Sequence, residues 1–356
     1  MSSAPTAERL ASQLLSGRRP NDPVAVAERL LAVQAQDLRG ARLAIRARTR
    51  GLTVTDVDRA LTEDRSLLIT WLNRGTLHLV RTQDYGWLHA LTTPQLVTGN
   101  ARRLRQEGVS PRDAERGVAV IERGLTNDGP LTRRELRERI AEAGVPTNGQ
   151  ALIHLLLLAS LRGIAVRGPM LGKEQAYVLV RDWIGAPAPV ERPVALAELA
   201  RRFLAGHGPA DDRDLARWAG MPLRDARAGI AAIAKELQEW PDGLLTVGRR
   251  SARPAMPPPC LLGPYDPLLL GWVSREPIVG SHRRIVTDNG LFRPFALVGG
   301  RAVAIWRLTD GEVRLAPFKP LKRADAAALE ADAAGVVRFL AGAPSAAGSS
   351  RSSRSG

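Results

Sequence analysis

The chain has 356 residues, of which 44% are hydrophobic and 4% aromatic, and its 51 lysines and arginines against 36 acidic residues give a net charge of +15. This composition excludes an internal disulfide framework, because there is one cysteine, and a transmembrane helix, because no apolar run reaches about 18 residues. The basic excess predicts a polyanionic partner, most often nucleic acid, although arginine-rich chains are also typical of GC-rich genomes.

Two further exclusions concern targeting and metals. The opening residues MSSAPTAERLASQLL lack the basic segment followed by an apolar segment that marks a secretory signal. The five histidines and Cys260 are scattered without the spacing of zinc ligands. We therefore expect a cytoplasmic, nucleoid-associated protein that uses no metal and no cofactor and has no membrane partner.

The first part of the chain shows the order of a winged helix. Residues 6–15 are predicted to form a helix, and a second helix begins after Asn21-Asp22-Pro23, where a capping residue precedes a proline. A third helix is predicted over about 53–64, with its apolar residues on one face. The segment LLITWLNRGTLHLVRT then changes to a β pattern with a turn at 73–75, which predicts a hairpin.

The same order recurs twice. Residues 130–144 and the segment TNGQALIHLLLLASLRG predict two helices, and a hairpin follows around 168–173. Residues 192–208 then lead into a helix-turn-helix spacing, in which Asp211-Asp212 caps a short helix that ends at Gly220. A further helix begins near residue 222, and GLLTVGRR supplies a strand. Three similar units in one basic chain indicate tandem winged helices.

The last part of the chain is predicted to be rich in strands. It follows the linker SARPAMPPPC, whose prolines exclude a helix. Strands are predicted in IVGSHRRIVT, GLFRPFALVGG and RAVAIWRLTDGEVRLAPF, with hairpin turns at Gly299-Gly300 and Asp310-Gly311. We interpret this region as a small β-barrel or sheet that precedes an amphipathic helix over about 323–341.

The predicted fold class is therefore α+β, mainly α, with three tandem winged-helix domains and a C-terminal β-barrel-like region. The predicted boundaries are 1–92 for the first winged helix, 93–186 for connecting helices and the second, and 187–255 for the third. Residues 256–342 form the β-barrel-like domain with its terminal helix. The low-complexity segment 343–356 is expected to be disordered.

Two glutamines, in Gln34-Ala35-Gln36, follow the apolar face of the second predicted helix. In a helix the two side chains would point about 200° apart and could not act together, whereas in extended chain they share one face. Because the helix is predicted to end near this point, the pair should project to the same side. On spacing alone, two solvated glutamines on a surface helix are the simpler interpretation.

Two other segments offer candidate site residues. In RGTLHLV, strand alternation places Arg74, Thr76 and His78 on one face, where they are either phosphate donors or the ordinary exposed face of a wing. LLGPYDPLLLG places Asp266 in an apolar setting, either as a structural hydrogen-bonding residue or as a site residue.

Four segments in this order, AVQAQD, TWLNRGTLHLV, YDPLLLG and GLFRPFALVGGRAVAIWR, resemble the AlkZ/YcaQ-like bacterial DNA glycosylases over about residues 10–340. The resemblance implies tandem winged helices followed by a β-barrel. One branch of that family carries Gln-apolar-Gln and the other Gln-apolar-Asp, and residues 34–36 match the first, with Asp37 outside the motif. Two positions depart from the family pattern, Ser274 in place of aspartate and Ala304 in place of glycine.

The resemblance implies excision of N-alkylated purines, including bulky toxin adducts and interstrand crosslinks in some members. An N7-alkylguanine already carries positive charge, so its departure needs little acid help, and the remaining task is to place water at C1′. Glutamine carbonyls accept from water and glutamine amides donate, which makes Gln34 and Gln36 the candidate catalytic residues. A bulky adduct favours an open basic channel over a closed pocket for a flipped base.

Two other classes of function compete with a monofunctional glycosylase. A winged-helix transcriptional regulator usually carries one such domain with a ligand or dimer module, which three units and a barrel do not match. An RNA-binding protein would need stacking aromatic residues on a sheet, which are scarce in this chain.

The expected partner is double-stranded DNA that carries alkylated purines, bound by a monomer. The candidate DNA-binding residues are Arg39, Arg42, Arg74, Thr76 and His78. The candidates for supporting the site are Asp37, Asp266 and Arg293.

Overall fold

The computed structural model describes residues 4–248, 255–282, 284–287 and 289–342. The predicted α+β class is confirmed, with helix more abundant than strand. The division into three winged-helix domains stays a prediction. The predicted tail 343–356 lies outside the described residues, and each described helix is too short or too polar to cross a membrane.

The helices follow the chain with short connections. Their bounds are α1 (Ala4–Ser12), α2 (Pro23–Leu30), α3 (Leu38–Arg48), α4 (Val54–Thr62), α5 (Tyr85–Thr92), α6 (Leu96–Gln106), α7 (Pro111–Asp128), α8 (Arg133–Glu142), α9 (Ala151–Leu161), α10 (Val180–Trp183), α11 (Arg192–His207), α12 (Asp212–Ala219), α13 (Leu223–Ala232), α14 (Glu276–Val279) and α15 (Arg323–Leu340).

The strands belong to three antiparallel sheets. Their bounds are β1 (Val33–Gln34), β2 (Leu67–Leu72), β3 (Thr76–Arg81), β4 (Ala165–Leu171), β5 (Glu174–Leu179), β6 (Leu237–Glu239), β7 (Leu245–Val247), β8 (Cys260–Leu262), β9 (Phe295–Val298), β10 (Arg301–Thr309) and β11 (Glu312–Pro317).

The hairpins predicted as the first two wings join in one five-stranded sheet, in the order β1-β3-β2-β4-β5. They meet where Ile69 of β2 pairs with Arg167 of β4. The added strand β1 pairs with β3, so β3 is an interior strand with neighbours on both sides. This position explains why β3 is buried along most of its length.

The segment after the glutamines forms a helix, α3, that the apolar pattern did not predict. Asp37 begins it as the N-cap, and its side chain accepts a hydrogen bond from the Gly40 amide at 3.0 Å. The helix is rich in arginine, and one of these arginines, Arg48, is fully buried. A buried charged residue hides the apolar period on which the sequence prediction depended.

The third predicted unit has the local features expected of it. Asp211 caps α12 by accepting from the Asp214 amide at 2.7 Å, and Gly220 ends the helix in the left-handed region with φ 65°. The helix α13 begins after Pro222, and β6 and β7 form a small two-stranded sheet.

The C-terminal region is an open sheet in the order β11-β10-β9-β8, and no closed barrel is found among the described residues. The hairpin of β10 and β11 and the helix α15 match the prediction. The predicted strand in IVGSHRRIVT is wrong, since its first residues end α14 and the only strand-like pairing described there is a single bridge between Val286 and Phe292. A single bridge leaves no ladder to close a barrel.

The buried core crosses the predicted domain boundaries. One apolar cluster contains Val26 of α2 together with Phe339 of α15, and a second contains Leu10 of α1 together with Leu297 of β9. The first and last parts of the chain therefore bury their apolar surfaces against each other.

These parts approach each other closely at Gly40 of α3. A Cβ atom at this position would lie 2.5 Å from the carbonyl oxygen of Pro264, well inside the normal contact distance. On the other side of the contact, a Cβ on Gly263 would lie 3.0 Å from the Cβ of Leu43. Two glycines therefore let α3 pack directly on the backbone that follows β8.

Two buried histidines stay uncharged. Burial lowers the pKa of His78 in β3 and of His207 in α11 to about 3, with nearby arginines contributing in the same direction and a backbone hydrogen bond opposing it. His207 stacks on Phe203 with ring centroids 4.8 Å apart. Protonating either ring would place an unpaired charge in the core.

We expect the free energy of unfolding to decrease as the pH falls from about 6.5 toward about 3. In this window the two histidines bind protons in the unfolded chain but not in the folded chain. The free energy of unfolding therefore decreases by about 1.4 kcal/mol per pH unit for each histidine. Urea unfolding at several pH values measures the slope. His207→Gln should reduce this slope by the contribution of one histidine. An unchanged slope would contradict the assignment of His207 as a histidine that stays neutral in the folded chain.

Gly40→Ala should destabilise the protein by about 1–3 kcal/mol, because its methyl group meets backbone that cannot move aside. The matched control is Gly99→Ala in α6, where a Cβ meets nothing within 4 Å. This control should stabilise the protein by about 0.5–1 kcal/mol through higher helix propensity. Equal effects of the two substitutions in chemical unfolding would refute the close approach.

Candidate active site

A strained turn delivers the chain from α2 to the glutamines. Leu31 has φ 66° and ψ −45°, and the Ala32 amide donates to the Leu30 carbonyl at 2.8 Å, which forms a γ-turn. A buried leucine in this region costs about 1–3 kcal/mol, so the surrounding packing must hold it. The turn ends the helix abruptly and starts β1 two residues later.

The pairing of β1 with β3 places Gln34. Its partner across the strands is His78, and the pairing extends one residue further because the Ala35 amide donates to the Leu77 carbonyl at 2.7 Å. Val33 and Ala35, each of which precedes one of the glutamines, are buried in the core.

The two glutamine side chains touch. The Nε2 of Gln34 donates to the Oε1 of Gln36 at 3.3 Å, so both amides lie on one side, as predicted. Gln34 is only 6% exposed, whereas Gln36 is exposed. The bond leaves the carbonyl of Gln34 free to accept and the amide of Gln36 free to donate. The pair thus presents an uncharged acceptor and donor at the protein surface.

His78 lies next to this pair but not as predicted. It was expected on an exposed face as a phosphate donor, whereas it is buried because β3 is interior to the sheet. Its Nδ1 hydrogen-bonds the Thr76 carbonyl at 2.9 Å, which makes Nδ1 the protonated nitrogen of the neutral ring. With its pKa lowered to about 3, the ring is not a cationic phosphate donor at neutral pH.

The other two residues of the predicted wing face are also held by the fold. Arg74 lies on the turn, but its guanidinium donates to the carbonyls of Arg217 and Trp218 at 3.1 and 2.6 Å. Burial lowers the pKa of Arg74, and Arg217 lowers it further. The hydroxyl of Thr76 is buried without a partner among the described residues. Arg74 therefore ties the hairpin to the end of α12.

Three further candidates have structural partners. Asp37 caps α3, as described above. The Nε of Arg42 donates to Asp58 of α4 at 2.9 Å, so this arginine already has a carboxylate partner. Asp266 is fully buried and receives two hydrogen bonds from Arg48, at 2.9 and 2.8 Å. These contacts favour the structural interpretation of Asp266 that the sequence left open.

The structure brings together two candidates that are distant in sequence. Arg39, on the first turn of α3, and Arg293, before β9, line one groove of about 400 Å³ together with Pro264, Trp306 and Arg307. All three arginines are exposed, and none of their guanidinium groups forms a hydrogen bond or ion pair within the part of the chain that the structure describes. The groove is thus a positively charged surface whose charges have no acidic partner within that part of the chain. One of its residues, Arg39, follows Gln36 by three positions in the sequence.

Sequence reasoning missed two features of this region. Arg307 was not a candidate, because a single arginine in a β10 pattern gives no signal until the fold places it beside Arg39. The γ-turn at Leu31 was also missed, since leucine is not a residue that favours positive φ.

The chemistry available here is that of oriented dipoles. No group of three or more His, Cys, Asp or Glu side chains suited to a metal ion occurs among the described residues. The arrangement can hold a small polar molecule between a carbonyl and an amide while the groove binds anionic groups beside it.

Comparisons with known proteins identify relatives of this chain. The chain is 28% identical over 353 residues to a protein of Streptomyces sahachiroi named interstrand DNA cross-link repair glycosylase, and the match covers 93% of this chain and 94% of that protein. The solved structure of Streptomyces sahachiroi DNA glycosylase AlkZ superimposes with a TM-score of 0.76 at 26% identity and covers 95% of this chain and 97% of that chain.

The model of the family described as DNA glycosylase AlkZ-like matches residues 27–339, which include the glutamine pair, the β2–β3 hairpin and the arginine groove. This range spans most of the chain. Members of such a family are hydrolases that act on N-glycosyl bonds of DNA, which favours the enzyme over the regulator. The chain therefore belongs to the AlkZ-like DNA glycosylase family.

Proposed function

We propose that this glycosylase hydrolyses the N-glycosidic bond of N-alkylated purines, such as N7-alkylguanine, with a water molecule positioned by Gln34 and Gln36. The observation that carries the proposal is the 3.3 Å hydrogen bond between the two amides, one buried and one exposed. Such a pair offers one acceptor and one donor in a fixed relation. The acceptor is the Oε1 of Gln34, and the donor is the Nε2 of Gln36.

The neutral character of the pair suits a cationic leaving group. Alkylation at N7 places positive charge on the purine, so the bond to C1′ weakens without a protein acid. The water then needs orientation more than deprotonation, because its target is an oxocarbenium-like sugar that is strongly electrophilic. Orientation and fixed dipoles supply this part of the rate enhancement.

The neighbouring ionisable groups support a mechanism without a general base. Asp37 accepts from the Gly40 amide as a helix cap, and the ring of His78 is neutral and bound to the Thr76 carbonyl. The buried Asp266 is already paired with Arg48. Gln34 and Gln36, in contrast, retain one unused acceptor and one unused donor.

We infer hydrolysis rather than strand cleavage through a Schiff base. Residues 1–172 contain no lysine, and the lining of the arginine groove contains none either. Without an amine nucleophile at the site, water is the remaining attacking group, and the product is an abasic site. The enzyme would then be monofunctional.

The groove of Arg39, Arg293 and Arg307 would bind the DNA backbone beside the lesion. Arginine binds phosphate through a planar fork of donors, and these three have no carboxylate partner among the described residues. The surface is open, so a bulky adduct need not be enclosed. The name of the Streptomyces sahachiroi relative extends the proposed substrates to interstrand crosslinks.

The first test is excision from duplex DNA that carries one N7-methylguanine, read as strand breaks after heating in alkali. Gln34→Ala and Gln36→Ala should each lower the single-turnover rate by roughly 10²-fold or more, because each removes one of the two contacts to water. Gln106→Ala, an exposed glutamine on α6, is the matched control and should retain the wild-type rate.

The outcomes separate the enzyme from its residue assignment. Thermal midpoints of both variants should stay near that of the wild type, so that a lost rate reports chemistry rather than unfolding. Breaks that persist in both variants would keep the activity and refute the glutamine mechanism. Breaks that are absent even with the wild type would refute N7-methylguanine as a substrate, and a crosslinked duplex would then test the bulky class.

Arg39→Ala and Arg293→Ala should each weaken binding to undamaged duplex and lower the slope of log K against log salt by about one, the share of one phosphate contact. Binding is measured by fluorescence anisotropy over a range of sodium chloride concentrations. Arg137→Ala, an exposed arginine on α8, is the control and should keep the wild-type slope. Wild-type slopes in both groove variants would exclude the groove from the DNA interface.

A further inference from the structure

A second cavity, with a volume of about 220 Å³, lies between the end of α3 and the face of α15. Its lining is polar and includes three arginines, Arg19, Arg46 and Arg338, together with Asp332 and Cys260. It adjoins the C-terminal end of α3, whereas the glutamine pair precedes the N-terminal end. The helix has eleven residues and so separates the two sites by roughly 16 Å.

One of the three arginines is anchored by the single carboxylate. The Nη2 of Arg46 donates to Asp332 Oδ1 at 2.6 Å and to the Asp332 carbonyl at 3.0 Å, while Nη1 reaches Oδ2 at 3.2 Å. Asp332 also accepts from the Leu261 amide at 2.8 Å. The carboxylate is therefore fully engaged and compensates one positive charge.

The positive charges of the other two arginines are not balanced by an ion pair among the described residues. Arg19 makes one described hydrogen bond, from Nη2 to the Leu15 carbonyl at 3.1 Å. Burial lowers the pKa of Arg19, and the nearby guanidiniums of Arg46 and Arg48 lower it further, although Asp332 acts in the opposite direction. The side chain of Arg338 has no hydrogen bond or ion pair within the described ranges. Burial keeps the Cys260 thiol protonated by raising its pKa to about 12.

A glycine inside α15 makes room for two of these side chains. A Cβ on Gly335 would lie 2.7 Å from the Nη2 of Arg46 and 3.8 Å from the Nη2 of Arg338. Both guanidiniums therefore converge on the same point of the helix surface. Glycine inside a helix costs about 0.5–1 kcal/mol relative to alanine, and here the missing methyl group leaves open the space that two cations face.

We propose that this cavity is a binding site for a phosphate-class oxyanion, held by Arg19, Arg46 and Arg338. Three guanidiniums face one carboxylate, so the cavity carries an excess of positive charge in partly buried surroundings where water screens it poorly. A tetrahedral oxyanion accepts several hydrogen bonds at once, which matches the unused donors of Arg19 and Arg338. A bound anion would also connect the loop after α1 with the helices α3 and α15.

The oxyanion could be free phosphate or a phosphodiester of DNA bound beside the catalytic groove, and the experiment distinguishes these sources. The probe is inorganic phosphate, added to the full-length protein at constant ionic strength maintained with sodium chloride. Phosphate stabilises most proteins weakly by exclusion from their surface, an effect that does not saturate. Occupation of a site instead gives a thermal midpoint that rises and then levels off.

The wild type should show the saturating rise. Arg338→Ala should shift the half-saturating phosphate concentration about tenfold upward, the effect of losing one charge-assisted hydrogen bond. Arg338 is exposed, so this variant should fold normally. Gly335→Ala should weaken phosphate binding as well, although it keeps every arginine, because its methyl group occupies the space between Arg46 and Arg338.

The control is Arg137→Ala, which removes an exposed helical arginine elsewhere and should retain the wild-type curve. A thermal midpoint that rises linearly with phosphate concentration, with equal slope in the wild type and in all three variants, would overturn the site.

Binding of undamaged duplex in phosphate-free buffer then identifies the source of the oxyanion. If the slope of log K against log salt falls by about one in Arg338→Ala, the ligand is a DNA phosphate. If this slope is unchanged while phosphate binding is weakened, the ligand is a free oxyanion.

Discussion

The buried ion pair between Arg48 and Asp266 is the constraint on which the rest of the structure depends. Both side chains are fully buried. A charge in that position is tolerated only if all its hydrogen-bonding capacity is met, and the five donors of Arg48 reach Gln13, the Ala44 carbonyl and Asp266. Asp266 in turn accepts from the Leu268 amide at 2.9 Å. The network joins the segment after α1, the end of α3 and the turn after β8.

This network also determines where α3 lies. With Arg48 fixed at one end, the helix packs at the other end against Pro264 through Gly40, and Arg46 binds Asp332 of α15 between them. The strand β1 enters the sheet just before the helix begins. The two glutamines therefore occupy a defined position between the first sheet and the C-terminal part of the chain, although those parts are far apart in sequence.

The distribution of charge around α3 suits the proposed action on DNA that carries a cationic lesion. The arginines of the groove lie on the outside, where phosphates would bind, while the two glutamines and the neutral His78 provide dipoles at the point proposed for chemistry. A free carboxylate there would bind the cationic base and would also repel the phosphates on either side of it. Amides avoid both effects and still orient water.

The sequence by itself determined the local elements whose signals are short-range, such as the Asp22 and Asp211 caps, the left-handed Gly220 and the hairpin turns of β2–β3 and β10–β11. It also located the candidate glutamine pair, through the resemblance of four segments to a known family, although spacing alone favoured two solvated glutamines on a surface helix. Only the tertiary structure decided the rest. Burial of Arg48 concealed α3, the addition of β1 to the sheet buried His78, and the packing of β8 on α3 brought Arg293 and Arg307 to Arg39. These are long-range contacts, and their energies depend on which surfaces meet, which no local pattern of residues encodes.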